Sequence, residues 1–77
     1  MALSAAEECY RAIGIAPGYL PLHLRLAEIL LAQGDVEGAL AKYKMVAETY
    51  LHRGERRPAT QVYRLILRLA PIEIAAR

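Results

Sequence analysis

Side chains able to do covalent or metal chemistry are few in this sequence and stand far apart. One cysteine (Cys9), two histidines (His23 and His52) and a single serine (Ser4) are scattered over 77 residues, and none of them forms a local zinc motif. There is no glycine-rich phosphate loop, no His-Glu metal motif and no nucleophile elbow. Ser4 stands three residues before Glu7, the spacing of a helix-capping box rather than of a nucleophile. No catalytic, cofactor-binding or metal-ligating residue is therefore assigned, and the chain is read as a non-enzyme. A lone cysteine also rules out an internal disulfide framework.

What remains is charged and aromatic surface. Three of the five tyrosines are followed by a base, as Tyr10-Arg11, Tyr43-Lys44 and Tyr63-Arg64. Nucleic-acid stacking would use such pairs, but repetition of one structural template explains them without function. Arg57, Arg64 and Arg68, spaced i, i+7 and i+11, share one helix face, with His52, Arg53 and Arg56 nearby. That basic face is read as solvated surface, or as a seat for an acidic peptide or the acidic part of a second copy. The net charge of +2 is too small to imply nucleic acid by itself. Its distribution is uneven: residues 1–40 sum to −3, with Arg11 and Arg25 against five acidic residues, and residues 41–77 sum to +5.

The elements that must carry these groups are helices. With 56% apolar and 23% charged residues the chain is too hydrophobic for a disordered tail, and Ala, Leu, Ile and Val supply most of that weight. Gly and Pro punctuate it into helices over 4–15, 21–33, 36–52 and 58–70, forming one all-α domain over 1–77. Ser4 caps the first, with Leu3 in the staple position, and Pro17-Gly18 ends it. Pro21 suits the first turn of the second, where its missing N–H costs nothing, and Leu22, Leu26, Ile29 and Leu30 lie on one face. Gly34 closes that helix and Asp35 caps the next. The third helix has an unusually broad apolar stripe (Val36, Ala39, Leu40, Tyr43, Val46, Ala47, Tyr50), as expected of a helix packed between two neighbours. The fourth is expected to bury Val62, Leu65, Ile66 and Leu69 and to halt at Pro71, with the first turn of a fifth beginning at Ile72. Every apolar run is broken by charge well short of the ~20 residues a membrane span needs, and Glu7 and Glu8 make the start unlike a secretory signal. A cytoplasmic protein is expected.

The helices repeat. Ala5, Cys9, Ala12 and Pro17 recur as Ala39, Tyr43 and Val46, and again as Ala59, Tyr63, Ile66 and Pro71; Ala5 and Ala39 are 34 residues apart. This spacing resembles the tetratricopeptide repeat, a helix–turn–helix unit of 34 residues. Leu26, Ala27, Leu30, Gly34, Asp35, Ala39 and Tyr43 fit one copy; Val46, Ala47, Tyr50, Gly54, Ala59, Tyr63 and Pro71 fit a second. The resemblance covers nearly the whole chain as a short or truncated array. Two departures stand out. Val46 and Leu51 replace the second Ala and the terminal Pro of the first copy, and the two turn glycines are 20 residues apart. The helix over 36–52 is thus second helix of one copy and first helix of the next.

That resemblance implies a protein–protein interaction scaffold whose first helices line a surface receiving an extended or helical partner segment. Arg25, Glu28, Lys44 and Glu48 are the residues expected to line it. The Lys/Asn/Arg clamp by which some family members hold a peptide carboxylate is missing: the matching positions are Leu24 and Glu28, then Lys44 and Glu48, and the chain has no Asn. Apolar residues at both ends (Leu3 and Ile13, Ile72 and Ile74) leave self-association as the alternative, either an antiparallel homodimer or a swap of terminal helices. The ends also suit a fragment of a longer array. Weak nucleic-acid association through Arg57, Arg64 and Arg68 is a second alternative. No cofactor is expected.

Overall fold

Alternating turn chemistry and apolar helix faces produce a zigzag of antiparallel helices. The computed structural model describes residues 2–70 and places α1 at Ala5–Ile15, α2 at Leu20–Ala32, α3 at Val36–His52 and α4 at Arg56–Leu69. There is no strand among the described residues. Each helix packs on its neighbours in sequence, α1 on α2, α2 on α3 and α3 on α4. The Cα atoms span 44 × 29 × 15 Å, a slab little thicker than one helix with its side chains.

Helix ends follow from local chemistry. Ser4 Oγ accepts from the Glu7 N–H at 3.1 Å, satisfying one of the orphan donors of α1 while Glu7 and Glu8 meet the positive end of its dipole. Leu3, expected as a staple, is exposed. Ala16 leaves the helical region (φ −134, ψ 69) because Pro17 crowds its backbone. Ala70, also followed by proline in the sequence, does the same (φ −144, ψ 63). Pro71 itself and the turn expected from Ile72 lie outside the described residues.

The two inner turns are near-copies. Gly34 (φ 85) and Gly54 (φ 78) occupy the left-handed region that an L side chain enters only at a cost. After α2, the Asp35 N–H reaches Leu30 O at 2.9 Å and the Gly34 N–H reaches Leu31 O at 3.0 Å; after α3, Glu55 reaches Tyr50 O and Gly54 reaches Leu51 O at the same distances. Both are Schellman closures that satisfy otherwise orphaned carbonyls. α2 opens at Leu20, a residue ahead of the expected start, and α4 at Arg56, two residues ahead. In both, proline sits inside the first turn, where the lost N–H has no intrahelical acceptor.

α3 holds the middle of the core. Ala39, Leu40, Tyr43, Val46 and Ala47 are all buried and meet Leu20 and Ala27 of α2 and Val62 and Ile66 of α4. Ala27, Ala39, Ala47 and Ala59 are fully buried, and such small side chains let helix axes approach to the short end of the ~8–10 Å packing range. Three expectations shift. Val36 is exposed at the helix start, and on α2 the deepest positions are Leu20, His23, Leu26 and Ala27, while Leu22, Ile29 and Leu30 are half-buried. On α4, Leu65 is exposed, because among the described residues only one side of that helix meets another element.

Candidate partner-binding site

The buried faces fix which side chains point outward. With Leu20, His23, Leu26 and Ala27 turned into the core, Arg25 and Glu28 project from the opposite face of α2 and pair at 3.4 Å. Both side chains are more than 60% exposed, 64% and 61%. An ion pair so open to water is worth about 0–1 kcal/mol, so its members can exchange each other for a partner's charges at small cost.

Glu28 also reaches the core electrically. Burial, and then the Glu28 carboxylate, push the Tyr43 phenol on α3 above the ordinary tyrosine value. Lys44 and Glu48, one turn apart, lie along the outer stripe of α3; Lys44 is half-buried and Glu48 exposed. Lys44 shares a shallow depression with Glu37, Leu40 and Ala41. Arg25 and Glu28 are thus in direct contact, and Lys44 and Glu48 are one turn apart on the next helix.

The basic residues sit elsewhere. Arg57, Arg64 and Arg68 are exposed on α4, which packs on α3 and not on α2. Arg57 and Arg64, with Arg56, Thr60 and Gln61, border a shallow depression on the surface of that helix.

His23 and Cys9 both lie in the packed interior. His23 is buried and its Nε2–H donates to the Pro17 carbonyl at 2.8 Å, which leaves Nδ1 as acceptor toward the Lys42 ammonium 3.5 Å away. This joins the α1–α2 turn to α3, as does Arg53, whose guanidinium donates to Gly18 O at 2.9 Å. Cys9 is buried in the helix position that Tyr43 and Tyr63 fill in the other copies. Among the described residues, no three His, Cys, Asp or Glu side chains are grouped to hold a metal ion, and no helix is long and apolar enough to cross a membrane.

One feature escaped the sequence reading. Tyr10 of α1, Leu30 of α2 and Gly38, Ala41, Lys42 and Met45 of α3 border a cleft of about 340 Å³. Gly38, Lys42 and Met45 stand at i, i+4 and i+7, a flank distinct from the core stripe, and that spacing was the available signal.

A family model of the tetratricopeptide repeat matches residues 2–45. The match stops inside α3 just before Val46, where the sequence leaves the repeat pattern. No curated protein matches, and no solved structure does.

Proposed function

The chain belongs to the tetratricopeptide repeat family, a family of protein–protein interaction modules, and from that membership we propose that it is a non-catalytic scaffold receiving a segment of another protein across α2 and α3, at Arg25, Glu28, Lys44 and Glu48. The observation that carries this reading is the Arg25–Glu28 pair: oppositely charged, solvent-exposed and set on one helix whose inner face is packed. The four residues alternate in sign along the chain, so the complementary segment is polar and carries both charges rather than a run of one. Electrostatic matching of this kind contributes more to partner choice and to encounter rate than to raw affinity.

The test starts from random peptides displayed in a library and selected on the whole chain. Selected peptides are then titrated by fluorescence anisotropy against the chain and against a variant with Arg25, Glu28, Lys44 and Glu48 all changed to alanine, its helicity first checked by circular dichroism. Binding weakened tenfold or more in the variant is the expected result. Unchanged binding would remove the proposal and send the search to the cleft at Tyr10 and Met45.

A further inference from the structure

We propose that the outer face of α4 is an interface for a second copy of this chain, whose α1 docks on it so that copies stack head to tail. The proposal goes beyond partner binding on α2 and α3 and alters neither helix.

The first ground is charge complementarity. α4 carries Arg56, Arg57, Arg64 and Arg68 and no acidic residue, and none of these four guanidinium groups is paired within the described residues. α1 has the opposite character: Glu7 and Glu8 stand exposed in its first turn, their carboxylates equally unpaired there, with Arg11 as its one base. Four like charges on one helix of about 21 Å repel one another, and an acidic helix laid alongside relieves that repulsion.

The second ground is apolar. Beside the Arg64–Arg68 edge runs a second edge made by Tyr63 and Leu67, one turn apart and both exposed. α1 exposes Ile15, 86% accessible and two turns beyond Glu8 on the same face. On each helix an exposed apolar side chain therefore stands beside charged ones, all basic on α4 and mainly acidic on α1. A phosphate backbone would match the arginines but leave Leu67 and Tyr63 in water, which favours an amphipathic helix as the occupant over a nucleic acid.

The contact is heterologous, since the two surfaces differ, and so it propagates rather than closing as a two-fold dimer unless the rotation per copy completes a ring. A single helix-on-helix seam falls at the low end of interface sizes, below about 1,200 Å², so association is weak and visible only at high protein concentration.

The experiment is sedimentation velocity on the whole chain over a hundredfold concentration range, at about 0.02 M and about 0.5 M salt, a change that shortens the screening length several-fold. Two double charge reversals accompany it, Arg64→Glu with Arg68→Glu and Glu7→Arg with Glu8→Arg. All four positions are solvent-exposed, and helicity is verified for each. Because the second reversal opposes the α1 dipole, Leu67→Ser serves as an independent variant on the α4 side. The expected result is growth in mean mass at low salt, at least tenfold weaker association in each variant, and recovery when the two reversed chains are mixed. A chain that stays monomeric at low salt overturns the proposal, as does association that survives either reversal or fails to return on mixing. Binding of random duplex DNA by a monomer would assign the arginine face to nucleic acid instead. None of these failures touches the α2–α3 reading, whose residues are unchanged throughout.

Discussion

α3 and α4 carry the same short pattern, Ala39/Tyr43/Val46 in one and Ala59/Tyr63/Ile66 in the other, yet their tyrosines have different fates. Tyr43 is 4% exposed and Tyr63 37%. Nothing in the side chains explains this; the difference is that, among the described residues, α3 has a helix on each flank and α4 meets one helix. Ala59 and Ile66 are as buried as Ala39 and Val46, so the inward half of the pattern behaves alike in both helices. A repeat motif thus specifies what a helix can bury, and its neighbours decide how much of that is buried.

Mutation of the paired positions tests this comparison most directly. Tyr43→Ala should cost about 3–5 kcal/mol, the range for truncating a buried aromatic. A domain of this size holds only about 4–12 kcal/mol of stability, so the variant should be largely unfolded by mild denaturant. Tyr63→Ala, half in water, should cost under about 1 kcal/mol by the same urea titration. Equal losses would break the comparison.

The two turns should respond alike, since their geometry is alike. Gly34→Ala and Gly54→Ala each force an L side chain into the left-handed region, and each should lower stability by about 1–2 kcal/mol. Thermal melts of the two variants should then nearly superimpose.

Helix starts should differ again. Asp35 Oδ1 accepts from the Gly38 N–H at 2.9 Å, whereas Glu55 makes no side-chain cap bond to α4. Asp35→Ala should therefore cost about 1 kcal/mol and Glu55→Ala close to nothing. Gly38 sharpens the point: a Cβ there would collide with the Asp35 carboxylate, so Gly38→Ala should erase part of the same cap.

The smallest effect is alkaline. Tyr43 ionises at a higher pH folded than unfolded, through burial first and Glu28 second. Above about pH 10 the unfolded chain loses that proton before the folded one does, so the unfolded state binds fewer protons and stability falls as pH rises. Tyr43→Phe keeps the packing and removes this loss, which a comparison of melts above and below that pH will show.

Much of the architecture was legible in the residues because glycine and proline act locally. The Val36–His52 helix follows from Asp35 at one end and Gly54 at the other, with no distant information needed. The outward positions of Arg25, Glu28 and Glu48 follow similarly, from the spacing of the apolar residues between them. What escaped depended on contacts across space. Leu65 and Tyr63 look like core residues until the number of flanking helices is known. The Tyr10–Met45 cleft is formed by residues far apart in sequence, and no single-helix pattern reports where α1 stands relative to α3 across α2. The early start of α4 escaped for another reason: proline is permitted anywhere in the first turn, so Pro58 marks the turn without marking its first residue.

Among the described residues the helices pack only on their neighbours in sequence, and this has a kinetic and mechanical consequence. Every helix seam closes a short loop of chain, so the core forms without the meeting of distant segments, and folding should be complete within milliseconds or faster. Under tension applied across the four described helices, the same arrangement offers no clasp between α1 and α4. α1 and α4 should peel away one at a time while the α2–α3 hairpin still holds, giving a stepwise extension in place of a single rupture.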